Sequence, residues 1–374
     1  MASTFREASN TPIICGIDVS STKLDARIGR DGPHLQVPST EEGADALQAF
    51  CQQHGATLCV MEATGGYERP AFARLWARGM PTAIANPRSV RKFAEGVGVL
   101  EKTDRIDAGV IAWHAETKRM KPTQPASADQ QRLTALVTHL RQLTEQKVVL
   151  QNQARLVDDA DVLASFGLVL GTVRAQIKAV ASKVAALIDA DPLWAKLDAA
   201  FRTIKGVADR TVARLMAELP ELGTISGKAI TKLTGLAPLA NQSGNHDGPR
   251  RTRGGREGPR SILFIAAGLA ARHEPDFHDF DERLTKQGKP RMVVRIALAH
   301  KLLTRLNAKA REVRAEMAEA ARKLEQTNPE HNDAAQAAHP GPLPKEEGAA
   351  GAVVPRQEGR YPFSARKNWS ASSS

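Results

Sequence analysis

Short apolar runs separated by turn residues dominate the first third of the chain. Runs rich in Ile, Val and Leu predict β-strands, whereas apolar residues that recur every three or four positions predict helices with one buried face. On this basis strands are expected at residues 13–19, 23–28, 34–37, 58–62 and 82–85. Helices are expected at residues 41–54, 68–78, 89–95 and 104–116.

The order of these elements indicates the fold. Three strands joined by tight turns come first, and the later strands alternate with helices, which requires crossover connections. Such a βββαβαβα order is typical of the ribonuclease-H-like fold. We therefore predict an α/β domain of this type over residues 11–125.

A different pattern occupies residues 126–198. Glycine and proline become rare, and leucines and valines repeat at helical spacing from residue 133. A second repeat, at residues 173–188, follows a glycine-containing break near residues 167–171. Two long helices are expected, packed as a hairpin or coiled coil that acts as a spacer or a dimerisation region.

The next part, residues 199–312, is predicted to be mostly α-helical. Residues 201–219 resemble a helix-hairpin-helix, in which turn amides hold a DNA phosphate. Ala208 stands where a second turn glycine is usual, so a plain helical corner is the alternative. Residues 245–260 predict a flexible loop rich in glycine and arginine, which would become ordered on phosphates.

The remaining elements follow from the same patterns. Helices are expected at residues 261–271 and 292–310, and residues 327–374 turn to Ala, Pro, Gly, Glu and Ser, which predicts a disordered tail. The fold class is thus α/β plus α: a ribonuclease-H-like domain, a helical linker, a largely helical domain and a tail.

Composition indicates the charge of the binding partner and the cellular compartment of the protein. The net charge of +11 and a pI near 9.7 favour a polyanionic partner such as nucleic acid. Three cysteines, an odd number, do not form a disulfide framework and indicate buried thiols in a reducing compartment. No apolar run approaches the roughly 20 residues of a membrane span, and residues 1–11 do not resemble a secretory signal. A cytoplasmic protein without membrane contact is expected.

Four acids form the candidate catalytic group. Asp18 and Glu62 each end an apolar strand, and Asp104 and Asp107 lie three positions apart at the start of a predicted helix, so they share one face. Carboxylates in such an arrangement suit Mg²⁺ that also contacts a phosphate. Three of the four have a simpler explanation: Asp18 as a turn former, Asp104 as a helix N-cap, and Asp107 as a favourable first-turn acid. Glu62 ends an apolar strand, where a charge is costly unless it is paired or coordinated.

Ser243 is the candidate nucleophile. It lies in Gln242-Ser243-Gly244, beside the arginine-rich segment, whose guanidinium groups could stabilise an alkoxide and a pentacovalent phosphate. The alternative is an ordinary loop serine, because serines are common in turns.

A set of motifs resembles the DEDD transposases of bacterial insertion sequences, a group with the Piv-type DNA invertases and the bridge-RNA-guided recombinases. The resemblance covers residues 13–311. Its motifs are Gly16-Ile-Asp-Val-Ser20, Met61-Glu-Ala-Thr-Gly-Gly-Tyr67, Asn86-Pro87, Lys102-Thr-Asp-Arg-Ile-Asp-Ala108, Ile204-Lys-Gly206, Gly235-Leu-Ala-Pro238, Gln242-Ser-Gly244, Gly254-Gly-Arg256 and Arg260.

The resemblance implies a bacterial protein associated with the nucleoid, and it implies a mechanism. A domain similar to the RuvC junction resolvases would hold Mg²⁺, or Mn²⁺ in its place, through the four acids, and Ser243 would attach transiently to DNA. Dimers would pair into a tetramer, with the acids of one subunit facing the serine of another. A structured noncoding guide RNA would pair with donor and target DNA. The basic residues expected to contact nucleic acid are Arg88, Lys92, Lys102, Arg105, Lys205, Arg250, Arg251, Arg253, Arg256 and Arg260.

Three other functions compete with this interpretation. A RuvC-like junction endonuclease would use the four acids and water, with Ser243 inactive. An actin-like sugar kinase is suggested by the segment Gly16-Ile-Asp-Val-Ser-Ser-Thr22, which resembles the first phosphate loop of that class. That class also needs a second Asp-containing glycine loop and an adenosine-binding glycine pair in its later domain, and the sequence shows neither in a convincing context. An architectural nucleic-acid-binding protein would carry the acids without using them.

Overall fold

The computed structural model describes residues 12–99, 104–244 and 246–327; the side chains of Asp104, Arg105, His246 and residues 325–327 lie outside the description. Its first part is a five-stranded sheet with four helices. The strands are β1 (Ile14–Val19), β2 (Lys23–Ile28), β3 (His34–Pro38), β4 (Leu58–Glu62) and β5 (Thr82–Ala85). The helices are α1 (Glu41–Gln53), α2 (Glu68–Ala77), α3 (Pro87–Gly96) and α4 (Asp104–Lys118).

The strand order in the sheet is β3-β2-β1-β4-β5. The hairpin-linked strands β1, β2 and β3 are antiparallel, whereas β4 and β5 run parallel to β1, because helical crossovers precede them. The predicted strands and helices of this part are present, and this mixed sheet is compatible with a RuvC-like, ribonuclease-H-type fold.

Each face of the sheet carries its own apolar cluster, because side chains alternate along a strand. On one face Cys15, Ile17 and Met61 pack with residues of α1 and α2. On the other face Ile14 and Val60 pack with residues of α3 and α4. The second face is the one that also carries Asp18 and Glu62, since these residues lie an even number of positions from Ile14 and Val60.

The next two helices form a hairpin. The core between α5 (Ala128–Ala154) and α6 (Ala160–Ala190) includes Leu140 and Val180. The predicted break near residues 167–171 is wrong, because Gly167 and Gly171 lie inside α6. The chain turns earlier, where the Asp159 side chain accepts hydrogen bonds from two first-turn amides and caps α6.

The final part is helical around one small β-hairpin. It contains α7 (Pro192–Arg202), α8 (Asp209–Glu218), α9 (Gly227–Leu233), β6 (Leu239–Ser243), β7 (His246–Arg251), α10 (Glu257–His273), α11 (Pro275–Lys286) and α12 (Arg291–Thr327). One core that includes Phe201, Leu263 and Leu302 unites the helices. No extensively packed pair of elements joins this part to the sheet domain within the described residues.

Several expectations for this part are corrected. The predicted flexible loop at residues 245–260 instead contributes β7 and the start of α10, because β7 pairs with β6. Helix α11 was not predicted, and α12 extends to Thr327, the first residue of the predicted disordered tail. Residues 328–374, the rest of that tail, lie outside the described residues.

The apolar helix α6 also bears on the expected absence of membrane spans. Among the described helices, α6 alone is long and apolar enough to cross a membrane by length and composition. Leu170, Ile177 and Val184 are buried in the protein, whereas most of the apolar stretch of α6 is exposed; a single such helix is weak evidence for a span.

Candidate active site

Asp18 and Glu62 lie side by side at the carboxyl ends of two neighbouring parallel strands. Ile17 of β1 pairs with Met61 of β4, so the next residues, Asp18 and Glu62, occupy adjacent positions. Neighbouring strands are roughly 4.8 Å apart, and both side chains project from the same face. Both residues are half-buried, so their carboxylates border solvent rather than the core.

Helix α4 brings the second pair of acids to this edge. Gly29, just after β2, lies next to both β1 and α4. Its amide donates to Ile14 O at the beginning of β1, and a Cβ placed on it would lie 3.7 Å from Oε1 of Glu116, near the end of α4. The carboxyl end of α4 therefore lies at the amino end of β1. Since α4 packs along β1, its first turn, with Asp104 and Asp107, lies toward the carboxyl ends of β1 and β4. Asp107 is half-buried, and the side chain of Asp104 lies outside the description.

A third strand acid lies in the same row, and the sequence analysis did not identify it. Asp25 of β2 is directly opposite Asp18, on the same face of the sheet, and is only 3% exposed. Its signal in the sequence was weak, because Lys23, Asp25 and Arg27 look like the solvent side of an edge strand.

Ser243 is the last residue of β6, at the tip of the small hairpin. It pairs with His246 across the turn and is exposed. Beside it, the Gln242 side chain donates to Asp247 Oδ1 at 2.9 Å and ties the two strands together. The structure thus separates the predicted nucleophile from the acids: they belong to parts of one chain that share no extensive packing within the described residues.

The arginines near this hairpin fall into two groups. Arg250, Arg251 and Arg253 are exposed, and the first two border a groove of about 910 Å³ between the hairpin and α12. Arg256 instead makes a two-pronged ion pair with Glu221, both nitrogen–oxygen distances being 2.7 Å, and Arg260 donates to Gly254 O at 2.7 Å. These last two side chains already fasten the loop that precedes α10.

The other predicted nucleic-acid contacts are scattered. Arg88 and Lys92 are exposed one turn apart on α3. Lys102 lies outside the described residues, as does the side chain of Arg105. In the helix-hairpin-helix-like turn, the Lys205 amide donates to Glu274 Oε1 at 2.6 Å, so a carboxylate of the chain holds an amide that the motif would offer to phosphate.

Comparison with known proteins identifies the class of protein to which the chain is similar. Residues 15–157 match the profile of the DEDD transposases of the IS110 group, described as a transposase, and residues 198–282 match that of the transposase IS116/IS110/IS902 family. The chain is also 25% identical over 306 residues to the pilin gene-inverting proteins of Moraxella lacunata and Moraxella bovis. Those alignments take in 77% of this chain and 92% of each relative.

The fold, the row of acids and these matches define an enzyme that rearranges DNA, a transposase or recombinase. The two profile matches together take in more than half of the chain and describe successive parts of one kind of protein. The chain belongs to the IS110 family of insertion-sequence transposases with the DEDD motif, and it is related to the pilin gene-inverting proteins. Its substrate is therefore DNA, and enzymes of this class generally use a divalent metal ion.

Proposed function

We propose that this transposase cuts and rejoins DNA strands through a transient bond between Ser243 and a DNA phosphate, at a site where Asp18, Glu62, Asp104 and Asp107 hold Mg²⁺. The observation that carries the proposal is the convergence of α4's first turn on the paired strand ends of Asp18 and Glu62. Two strands and one helix, distant in sequence, would then supply oxygen ligands to one point.

The donor set fits a hard divalent cation. Half-buried carboxylates at a solvent border can bind Mg²⁺ together with waters and a phosphate oxygen, and Mn²⁺ is an acceptable substitute. When bound, the ion would neutralise charge on the scissile phosphate and polarise it for attack. By holding the ion, the acids would orient that phosphate. The ends of the strands would fix the directions of the carboxylates.

Ser243 would supply the attacking oxygen. It stands exposed at a hairpin tip, where a DNA backbone can approach it. Arg250 and Arg251 lie toward the base of the hairpin, where Arg251 pairs with Leu239, so they would contact the DNA backbone beyond the reacting phosphate. Attack forms the serine–phosphate bond and releases a strand-end hydroxyl. Because the phosphoester is kept, the hydroxyl of another strand can later displace the serine without an external energy source.

The separation of acids and serine favours sharing between subunits. Two reactive parts that share no extensive packing within the described residues can complete a site with the acids of one subunit and Ser243 of another. We accordingly propose a dimer that pairs into a tetramer on DNA. A structured noncoding RNA, held by the basic surface of this +11 protein, would guide the choice of donor and target DNA.

The decisive test compares Ser243→Ala with Glu62→Gln on labelled donor and target DNA in the presence of the element's noncoding RNA. Both variants should lose strand exchange, and a covalent protein–DNA adduct trapped in denaturant should disappear in Ser243→Ala. The matched controls are Ser182→Ala on an exposed face of α6 and Glu95→Gln on α3, which should retain activity. Cutting by Ser243→Ala at the wild-type rate would contradict the serine mechanism and favour the water-using junction endonuclease.

A further inference from the structure

Asp25 completes a row of polar residues across four strands. On the face of the sheet that carries the acids, Gln36 of β3 lies opposite Asp25 of β2, Asp25 lies opposite Asp18 of β1, and Glu62 of β4 follows. Two like charges directly opposite each other across a strand pair are destabilising. A buried carboxylate beside Asp18 therefore requires a compensating cation.

Lys23 supplies that cation. Its Nζ lies 3.4 Å from Asp25 Oδ2, two residues along the same strand. The carboxylate is further held by the Gln36 side-chain amide on β3, which donates to Oδ1 at 2.7 Å. His34 Nε2 lies 3.3 Å from the same oxygen but makes no hydrogen bond to it. Asp25 is thus fixed from two strands.

The two partners of this ion pair differ in exposure. The Asp25 side chain is 4% exposed, whereas that of Lys23 is 38% exposed. A surface ion pair between two mobile side chains would contribute little to stability. Here an immobile, buried carboxylate holds a partly exposed ammonium group at the border of the site, which is an arrangement suited to presenting a charge.

The backbone of Lys23 is fixed as well. Ser20 closes the turn between β1 and β2: its hydroxyl accepts from the Lys23 amide at 3.1 Å and its amide donates to Lys23 O at 3.0 Å. Lys23 stands opposite Ser20, two positions past Asp18, and its side chain projects from the face of the acids. The turn therefore sets the position of the ammonium group relative to Asp18.

We propose that Lys23 is a catalytic residue that contacts the phosphate of the DNA bound at the acids, and that Asp25 is the positioning residue that aims it. This inference rests on the proposed DNA-cutting role of Asp18 and Glu62. The compact ammonium charge would stabilise the negative charge that accumulates on the phosphate during transfer.

The test measures the first-order rate of strand cleavage by the full-length protein with its RNA, at saturating DNA. Lys23→Gln should slow cleavage roughly 10²-fold, as the loss of one transition-state charge contact typically does, while DNA affinity changes far less. Lys23→Arg should recover much of the rate. The matched control, Lys183→Gln on an exposed face of α6, should cleave normally.

Asp25→Asn, which keeps the shape of the buried side chain, tests the positioning role. It should slow cleavage in the wild-type background but lower the cleavage rate little further in the Lys23→Gln background. A residue that acts only by positioning the Lys23 ammonium group has no effect once that group is absent. Additive losses in the double variant would overturn the positioning role. So would a raised Mg²⁺ requirement of Asp25→Asn, because that result would make Asp25 a metal ligand.

Glu62→Gln in the same assay distinguishes a failure of the proposed role of Lys23 from a failure of the proposed function. If Glu62→Gln abolishes cleavage while Lys23→Gln cleaves at the wild-type rate, the inference about Lys23 fails and the proposed function stands. If Glu62→Gln cleaves normally, the proposed function of this face fails, and the role of Lys23 fails with it. Thermal unfolding of each variant shows whether a lost rate is merely a lost fold.

Discussion

Gly16 of β1 lies directly against the backbone of Ala108 in α4. A Cβ at Gly16 would overlap the carbonyl oxygen of Ala108 and come within 2.6 Å of the Ala112 amide nitrogen. Only a glycine lets the helix approach the strand this closely. Gly16 precedes Asp18 by two residues and Ala108 follows Asp107, so this contact sets the spacing between the strand acid and the helix acids.

Gly16→Ala should therefore disturb both stability and activity. Neither backbone atom can yield as a flexible side chain would, so α4 must shift, and overpacking of this kind costs about 1–3 kcal/mol of unfolding free energy. Urea denaturation and strand cleavage measure the two effects. The control is Gly96→Ala at the end of α3, where a Cβ meets no atom within 4 Å; a loss there as large as at Gly16 would contradict the close-packing argument.

The buried imidazole of His114 should make stability depend on pH. Burial, aided by the nearby Lys118 ammonium, lowers the pKa of His114. The folded protein therefore keeps this imidazole neutral, whereas the unfolded chain takes up a proton as the pH falls below about 6.5. The contribution of His114 to stability is thus complete above that pH and is lost on acidification.

His114→Gln should flatten this acid loss, and urea denaturation between pH 5 and pH 8, a range of about three units around the usual histidine pKa, measures it. His114 Nε2 lies 3.0 Å from Ser89 Oγ, so the glutamine also keeps a polar group near that hydroxyl. The same substitution at exposed His139 serves as the control. An unchanged pH profile in His114→Gln would assign the acid loss to other groups.

The exposed arginines of the hairpin should govern the salt dependence of nucleic-acid binding. Each side chain that neutralises a phosphate releases counterions, so Arg250→Gln and Arg253→Gln should each lower the slope of log Kd against log salt by about 1. Filter binding at several salt concentrations measures the slope. Arg141→Gln, on α5 in an i,i+4 pair with Glu145, is the control; equal slopes in all three variants would exclude a phosphate contact at the hairpin.

The three cysteines should resist alkylation in the folded protein. Cys15, Cys51 and Cys59 are fully buried, and the Cys51 and Cys59 sulfur atoms lie 3.7 Å apart. Hydrogen bonding to the other two thiols, together with burial, raises the pKa of Cys15 well above its ordinary value, so it stays an unreactive thiol at neutral pH. Hydrogen bonds with Cys15 and Cys59 lower the pKa of Cys51 to about 4, so its resistance to alkylation rests on its burial. Mass spectrometry after iodoacetamide should show no label before unfolding and three afterwards. Rapid labelling of Cys15 in the native protein would contradict this burial.

The first domain was predictable because its signals are local. An apolar run as short as residues 13–19, followed by turn residues, is typical of a buried strand, and the position of Asp18 near its end follows from the run itself. The loop predicted at residues 245–260 failed for the opposite reason. Its glycines and arginines carry no apolar alternation, and β7 exists only because it pairs with β6 across the turn at Ser243.

The same limit applies to individual side chains. The charge of Arg256 was visible in the sequence, but its partner Glu221 is 35 positions away, and only the folded chain decides that this guanidinium is already paired. Asp25 was overlooked because a polar residue on an edge-like strand looks solvent-exposed until β3, β1 and α4 enclose it.

The sequence by itself determined the elements of the sheet domain, the acids at the ends of two strands, the basic character of the protein and its family motifs, because each depends on neighbours along the chain. The tertiary structure decided which residues stand beside one another. Strand register placed Asp25 next to Asp18, and the direction of α4 set Asp107 toward their edge. Both depend on contacts between residues far apart in sequence, whose energies no local pattern records.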